Sequence, residues 1–236
     1  MLDVKEEKQY EKLRKMGQRL HIPIPEAFWT LEVLDKDGNL LSKHEQRSHS
    51  WVRNAYNMMF THLALKDGDD GVFGAGLLNT KDTGGATLSG NGPGWADSFS
   101  SVDDTGHGYR AAAADDDCGI LVGSGVNAES FEDYVLQTKI INGTGAGNLS
   151  YILSEAHAIN YNAGTKVLKN DLVRYFNNNS GGNVSVNEVA LVNAGRNMSG
   201  GDKDILASRD KLGTTVTIPD TGQLKVTYTV QLTYPA

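Results

Sequence analysis

The segment QLKVTYTVQLTY near the end of the chain alternates without a break. Leu224, Val226, Tyr228, Val230, Leu232 and Tyr234 fall on one side, and Lys225, Thr227, Thr229, Gln231 and Thr233 on the other. Successive side chains of an extended strand point to opposite faces, so the pattern demands a sheet with one apolar and one polar, Thr-rich face. Such a face has to be covered by a second layer. The segment therefore points to a layered, antiparallel β architecture.

Seven further strand candidates precede it, at 118–123, 134–140, 149–161, 166–177, 184–192, 204–208 and 214–218, each bounded by turn residues. Short strands at this spacing, with little helical period between them, predict a mainly β chain: an antiparallel β-sandwich of jelly-roll or immunoglobulin-like type. In FWTLEVLDKDGNLLSKHEQ, Trp29, Leu31 and Val33 alternate with Thr30 and Glu32, and Asp37-Gly38 supplies a hairpin turn. A chain of 236 residues can bury a real core. Its 27 glycines lack a collagen-like period and serve turns instead.

Two segments carry helical period. In residues 2–20, Tyr10, Leu13, Met16 and Leu20 fall near one face, and HIPIP stops the helix because each proline forces extended geometry on its predecessor. Residues 1–25 are thus expected to form an arm, lying on its own domain or on a neighbour, and residues 26–236 a single sandwich domain. A second helix is predicted over about 50–65, with Ser48 or Ser50 as N-cap and Val52, Ala55, Tyr56, Met59 and Leu63 as its inward face. Residues 67–117 then turn Gly- and Asp-rich, as functional or assembly loops do.

The segment LVRYFNNNSGGNVSVNEVALV, residues 172–192, sets two apolar runs around a polar knot and reads as a hairpin. Each arm carries one charge, Arg174 and Glu188. Facing these two also sets Phe176 against Val186 and Leu172 against Ala190. Side-chain matching therefore predicts a structural ion pair, Arg174–Glu188, that locks the register. A two-residue turn at Gly181-Gly182 shifts the pairing by one, and turn chemistry favours it mildly.

No catalytic constellation assembles from the motifs. The histidines at 21, 44, 49, 62, 107 and 157 make no H-E-x-x-H, and the single Cys118 supports neither a disulfide nor a zinc ribbon. The glycine-rich runs GTGAGN and GSGVNA lack the P-loop lysine and a parallel βαβ setting, so no cofactor is expected. Asp115, Asp116 and Asp117 are candidate calcium ligands, as are Asp67, Asp69 and Asp70, although neither cluster fits the twelve-residue calcium loop and consecutive aspartates also form solvated turns. Glu129, Glu132 and Asp133 lie together, but acids before an apolar strand also serve as loop caps. Trp95, Phe99 and Tyr109 are candidate interface or ligand aromatics: a carbohydrate platform, or anchors of the loop to the core or to a neighbour.

The net charge of −7 argues against a nucleic-acid partner. The opening twenty residues are charged throughout, and no apolar run approaches the ~18 residues of a membrane helix. The expectation is a chain made in a cytoplasm with no membrane partner.

The ordered run GILVGSGVNAESFEDYVLQTKI, GAGNLSY, VRYFNNNSGGNVSVNEVALV, ILASRDKL and VTIPDTGQLKVTYTV resembles uncharacterised proteins of tailed bacteriophages, and DKDGNL with SHSWVRNAYNMMF resembles their N-terminal part. Ser208 in LASRD stands where that pattern runs Ala-Arg directly, an insertion that suggests a bulge. The resemblance implies a non-enzymatic virion structural protein assembled in the bacterial host cytoplasm. Its implied role is capsid decoration or stabilisation, with a tail or connector component as the alternative. Its partners would be other virion proteins and copies of itself. From the residues alone, a carbohydrate-binding or host-attachment sandwich with a glycan ligand is the competing class.

Overall fold

A computed structural model describes residues 3–64, 78–88, 105–196 and 202–235. Helix α1 (Val4–Leu20) is followed by strands β1 (Ile24–Leu34) and β2 (Leu40–Arg47), then helix α2 (Arg53–Ala64). The short β3 (Thr80–Lys81) and β4 (Thr87–Leu88) precede β5 (Gly119–Gly123), β6 (Ser150–Tyr151) and β7 (Ala158–Asn162). Four long strands complete the chain: β8 (Val167–Asn177), β9 (Val184–Arg196), β10 (Asp202–Ile218) and β11 (Gln223–Thr233).

These elements build an antiparallel β-sandwich with two added helices. One sheet runs β2-β1-β11-β8-β6, with β7 also paired to β8; the other runs β10-β9-β5. The alternating C-terminal segment is the middle of the larger sheet, paired along its whole length with β1 on one side and β8 on the other. Its apolar positions Leu224, Val226 and Tyr228 are buried with Trp29, Leu31, Leu172 and Phe176, against Ile120, Val122, Val189 and Leu191 from the smaller sheet. The expected β1–β2 hairpin is present. Its turn is held by Asp35, whose carboxylate accepts from the backbone of Asp37 and Asn39.

The segment 172–192 is not a hairpin. β8 pairs with β11, setting Arg174 against Val226, whereas β9 lies in the other sheet, where Glu188 faces Lys211 and Gly123. The polar knot is an arch that crosses between sheets. Asn178, wholly buried, donates from Nδ2 to the carbonyls of Gly182, Ile218 and Pro219, so it ties this arch to the β10–β11 connection. The backbone continues the tie, with Asn178 N donating to Gly222 O and Thr221 N to Asn178 O. Neither predicted register applies, because the two arms never pair.

Other expectations are corrected in detail. Residues 134–140 form no strand and carry a single β-bridge, Gly123 to Lys139. The candidates 204–208 and 214–218 are one bulged strand, β10, and its first irregularity falls between Leu206 and Ser208 where the insertion suggested a bulge. α2 begins at Arg53, and Ser48 bonds Asp210 instead of capping it. The buried positions of α2 are Asn54, Asn57 and Thr61, while Tyr56, Met59 and Leu63 are exposed. Its polar side turns inward to hold the backbone of 79–81: Asn54 bonds both Lys81 N and Lys81 O, and Asn57 donates to Asn79 O.

Removing the Asn178 side chain takes a donor from three carbonyls, one of them in a buried bond, that join the arch to the β10–β11 connection. Asn178→Ala should therefore destabilise the fold by about 1–3 kcal/mol, measured as a lower midpoint in urea at an unchanged slope.

Candidate functional site

The two charges singled out from the sequence are both buried, and each has other partners. Arg174 points into the sandwich and donates to five carbonyls: Ile152 from Nε, Cys118 and Ile120 from one terminal nitrogen, Ala112 and Asp115 from the other. Its cation lies 4.8 Å from the Tyr151 ring centroid. Burial draws its pKa below the ordinary arginine value. Glu188 is paired with Arg209, 2.7 Å from Nε, and accepts from the backbone N–H groups of Gly125, Gln137 and Thr138. Arg209 reaches on to Asp133 and to the carbonyls of Asn127 and Ala128. The pair thus clamps residues 125–138 onto the smaller sheet. The approach is close enough that a Cβ on Gly123 or Gly125 would fall 2.5 or 2.4 Å from Glu188 Oε1.

A third charged cluster fastens the N-terminal arm. Asp3 caps α1 through Lys5 N, and His21, in the left-handed region, closes it. Gly17 admits the returning chain, since a Cβ there would lie 2.7 Å from Ile24. The side of α1 facing the sheet carries Glu6, Glu7, Tyr10 and Arg14. Arg14 spans both oxygens of Glu26 at 3.0 and 2.9 Å, and Arg47 bonds Glu26 and Glu7. The Arg47 guanidinium is stacked between Tyr10, 3.6 Å to the centroid, and Phe28, 4.5 Å. Glu26 and Arg47 are both buried, on the outer side of the larger sheet. Leu13, Met16 and Leu20, expected near one face with Tyr10, instead point to solvent.

The remaining candidates are engaged separately. Asp116 and Asp117 both receive the Lys139 ammonium, at 3.0 and 2.9 Å, and Asp115 accepts from Asp117 N and Cys118 Sγ. Among the described residues no three His, Cys, Asp or Glu side chains converge as metal ligands would. Glu129 accepts from Lys211 N, Glu132 pairs with Arg53 and Asp133 with Arg209, so these acids do not share a site. Tyr109 is not an exposed platform. It packs against the core, and burial pushes its pKa up. Trp95, Phe99, Asp67, Asp69 and Asp70 lie outside the described residues.

One open cleft was not foreseen. It holds about 640 Å³ between the start of α2 and residues 129–131, and is lined by His49, Ser50, Trp51, Tyr56, Glu129 and Phe131. Its rings are contiguous: Trp51 to Tyr56 at 6.3 Å and Tyr56 to Phe131 at 5.8 Å between centroids. Trp51 is anchored by Nε1 to Tyr228 Oη, and Arg53 stacks on Phe131. Tyr56 and Phe131 stand 75 positions apart, and no sequence signal pairs them. The one hint is that Tyr56 belongs to an aromatic-rich helix.

Two outcomes follow. In a double-mutant cycle by urea unfolding, Glu188→Ala and Arg209→Ala should couple by about 0.5–3 kcal/mol, and Glu188→Ala with Arg174→Ala within error of zero. The second concerns acid. The hydrogen bond from Arg14 holds the Glu7 carboxyl below its ordinary 4.5, against desolvation. Its contribution to arm docking is therefore complete above pH 4.5 and lost as pH falls through the lowered value. Hydrogen-exchange protection of residues 4–20, corrected for the slower intrinsic exchange in acid, should fall on that acidification before protection in β11 does. Compared with protein-family models, curated proteins and solved structures, the chain matches none of them.

Proposed function

We propose that this chain is a non-enzymatic structural protein of a tailed-phage virion, decorating or stabilising the capsid through oligomeric assembly. A tail or connector position is the alternative within the same class. The observation that carries this reading is that both helices turn apolar side chains outward. On α1 these are Leu13, Met16 and Leu20; on α2 they are Tyr56, Met59, Phe60 and Leu63, with Phe131 beside them. Single exposed apolar residues need no explanation, whereas contiguous ones on surface elements mark contacts. The resemblance of the ordered segments to uncharacterised tailed-phage proteins supports the same reading. So does the use of the buried charges Arg174, Glu188 and Arg209, whose partners are backbone groups, one another and Asp133.

A second reading, a carbohydrate-binding or host-attachment module, is favoured by the Trp51–Tyr56–Phe131 cleft, whose rings and polar rim suit a sugar ring. One set of experiments separates the two. Mass spectrometry and antibody-label microscopy of purified particles should find the protein in virions at a fixed copy number. Finding only free cytosolic monomer during infection would overturn the first reading. Glycan-array binding that disappears in Tyr56→Ala and Phe131→Ala would establish the second.

A further inference from the structure

We propose that the outward face of α1 is a docking surface for the acidic body of a second copy of this chain. The inference deepens the assembly reading and rests on it. Leu13, Met16 and Leu20 follow each other at helical spacing and are 43, 58 and 60% exposed, with Ile22 beyond them at 52%. Lys5, Lys8, Lys12 and Arg19 flank this row and are exposed. The acids of α1 are committed elsewhere: Glu6 and Glu7 to Arg47, Arg14 and His49 on the inner side, Glu11 to Lys15. The outward face is therefore an apolar row in a positive field.

The charge of the whole chain identifies the occupant. α1 carries six Lys and Arg against three Glu, a net of +3, which leaves −10 on the rest of a chain whose total is −7. Two α1 helices set face to face would oppose like charges, which disfavours a symmetric helix-on-helix contact. The favourable arrangement is heterologous, with α1 of one copy on the body of the next, and such contacts generate rings or open arrays. The apolar row is narrow and has no aromatic residue, unlike the broad face of a helix that lies in a lipid interface. A protein surface fits it better than a bilayer.

Analytical ultracentrifugation of the full chain tests this. Wild type should self-associate at low salt and dissociate toward monomer in 1 M salt, where the screening length is about 3 Å against about 10 Å at 0.1 M. Leu13→Glu with Leu20→Glu, and separately Lys8→Glu with Lys12→Glu, should each weaken association by roughly tenfold or more at an unchanged melting temperature. The lysine variant alters only exposed side chains and remains decisive if the leucine variant does not fold. A wild type that is monomeric at every salt concentration, or variants that associate like wild type, would overturn the proposal. So would binding of wild type to phosphatidylcholine–phosphatidylserine vesicles without self-association. A monomer still present in virions overturns this inference alone, and an oligomer absent from virions overturns only the assembly reading on which it rests.

Discussion

A buried cation that bonds only carbonyls among the described residues joins the two sheets of the sandwich. Arg174 rises from β8 in the larger sheet and takes its five carbonyls from residues 112–120 and 152. Most of those residues lie outside regular strands, so their carbonyls have no ladder to satisfy them. A guanidinium suits the task because it is planar, keeps its charge and presents five N–H groups in fixed directions. Lysine offers three donors from one point and cannot span the same set. The course of the chain into β5 thus depends on one side chain of β8.

Two further arginines repeat the device with an acid added. Arg209 and Glu188 hold residues 125–138 to the smaller sheet, and Arg47 with Glu26 holds α1 to the larger one. A buried ion pair contributes little relative to apolar side chains of the same shape, but stranding either partner costs about 3–5 kcal/mol. Such pairs therefore select one arrangement and penalise all others. Here each pair selects where an irregular segment or an added helix lies on a sheet. The acids that a motif search would nominate for catalysis are occupied in this way or as turn and backbone acceptors.

What the sequence discloses depends on how local the deciding contact is. The alternation in β11, the Asp35–Asn39 turn, the end of α1 and the presence of α2 follow from neighbouring residues and are legible, whereas the start of α2 is not, because Ser48 is drawn to Asp210. The arch at 178–183 is not, because Asn- and Gly-rich turns serve equally between strands of one sheet and between two sheets. What separates the cases is that β8 pairs with β11, tens of residues further on, while β9 pairs with the strand that follows it, β10. Arg174 and Glu188 were recognisable as unusual charges in apolar runs, but their partners were not. The true partner of Glu188 lies in LASRD, on a strand whose register depends on the bulge beside Ser208. The Trp51–Tyr56–Phe131 cleft is harder still, since Phe131 comes from a segment with no period at all.

The helices show a second limit, which is physical rather than informational. Periodicity reveals that a helix has an apolar side, but the surface beneath decides which side faces inward. Under α1 lie the paired Glu26 and Arg47, and covering them with leucines would desolvate the pair further and remove the bonds from Arg14 and Glu7, a loss on the order of several kcal/mol. Leaving a leucine in water forfeits about 1.5–3 kcal/mol. The polar side of α1 therefore wins the inner position. α2 obeys the same inequality with neutral groups, since Asn54 and Asn57 serve backbone that would otherwise be buried without partners. In both cases a polar requirement inside the monomer displaces apolar surface to the outside. That displaced surface is a free-energy reserve which only a contact with another molecule can recover.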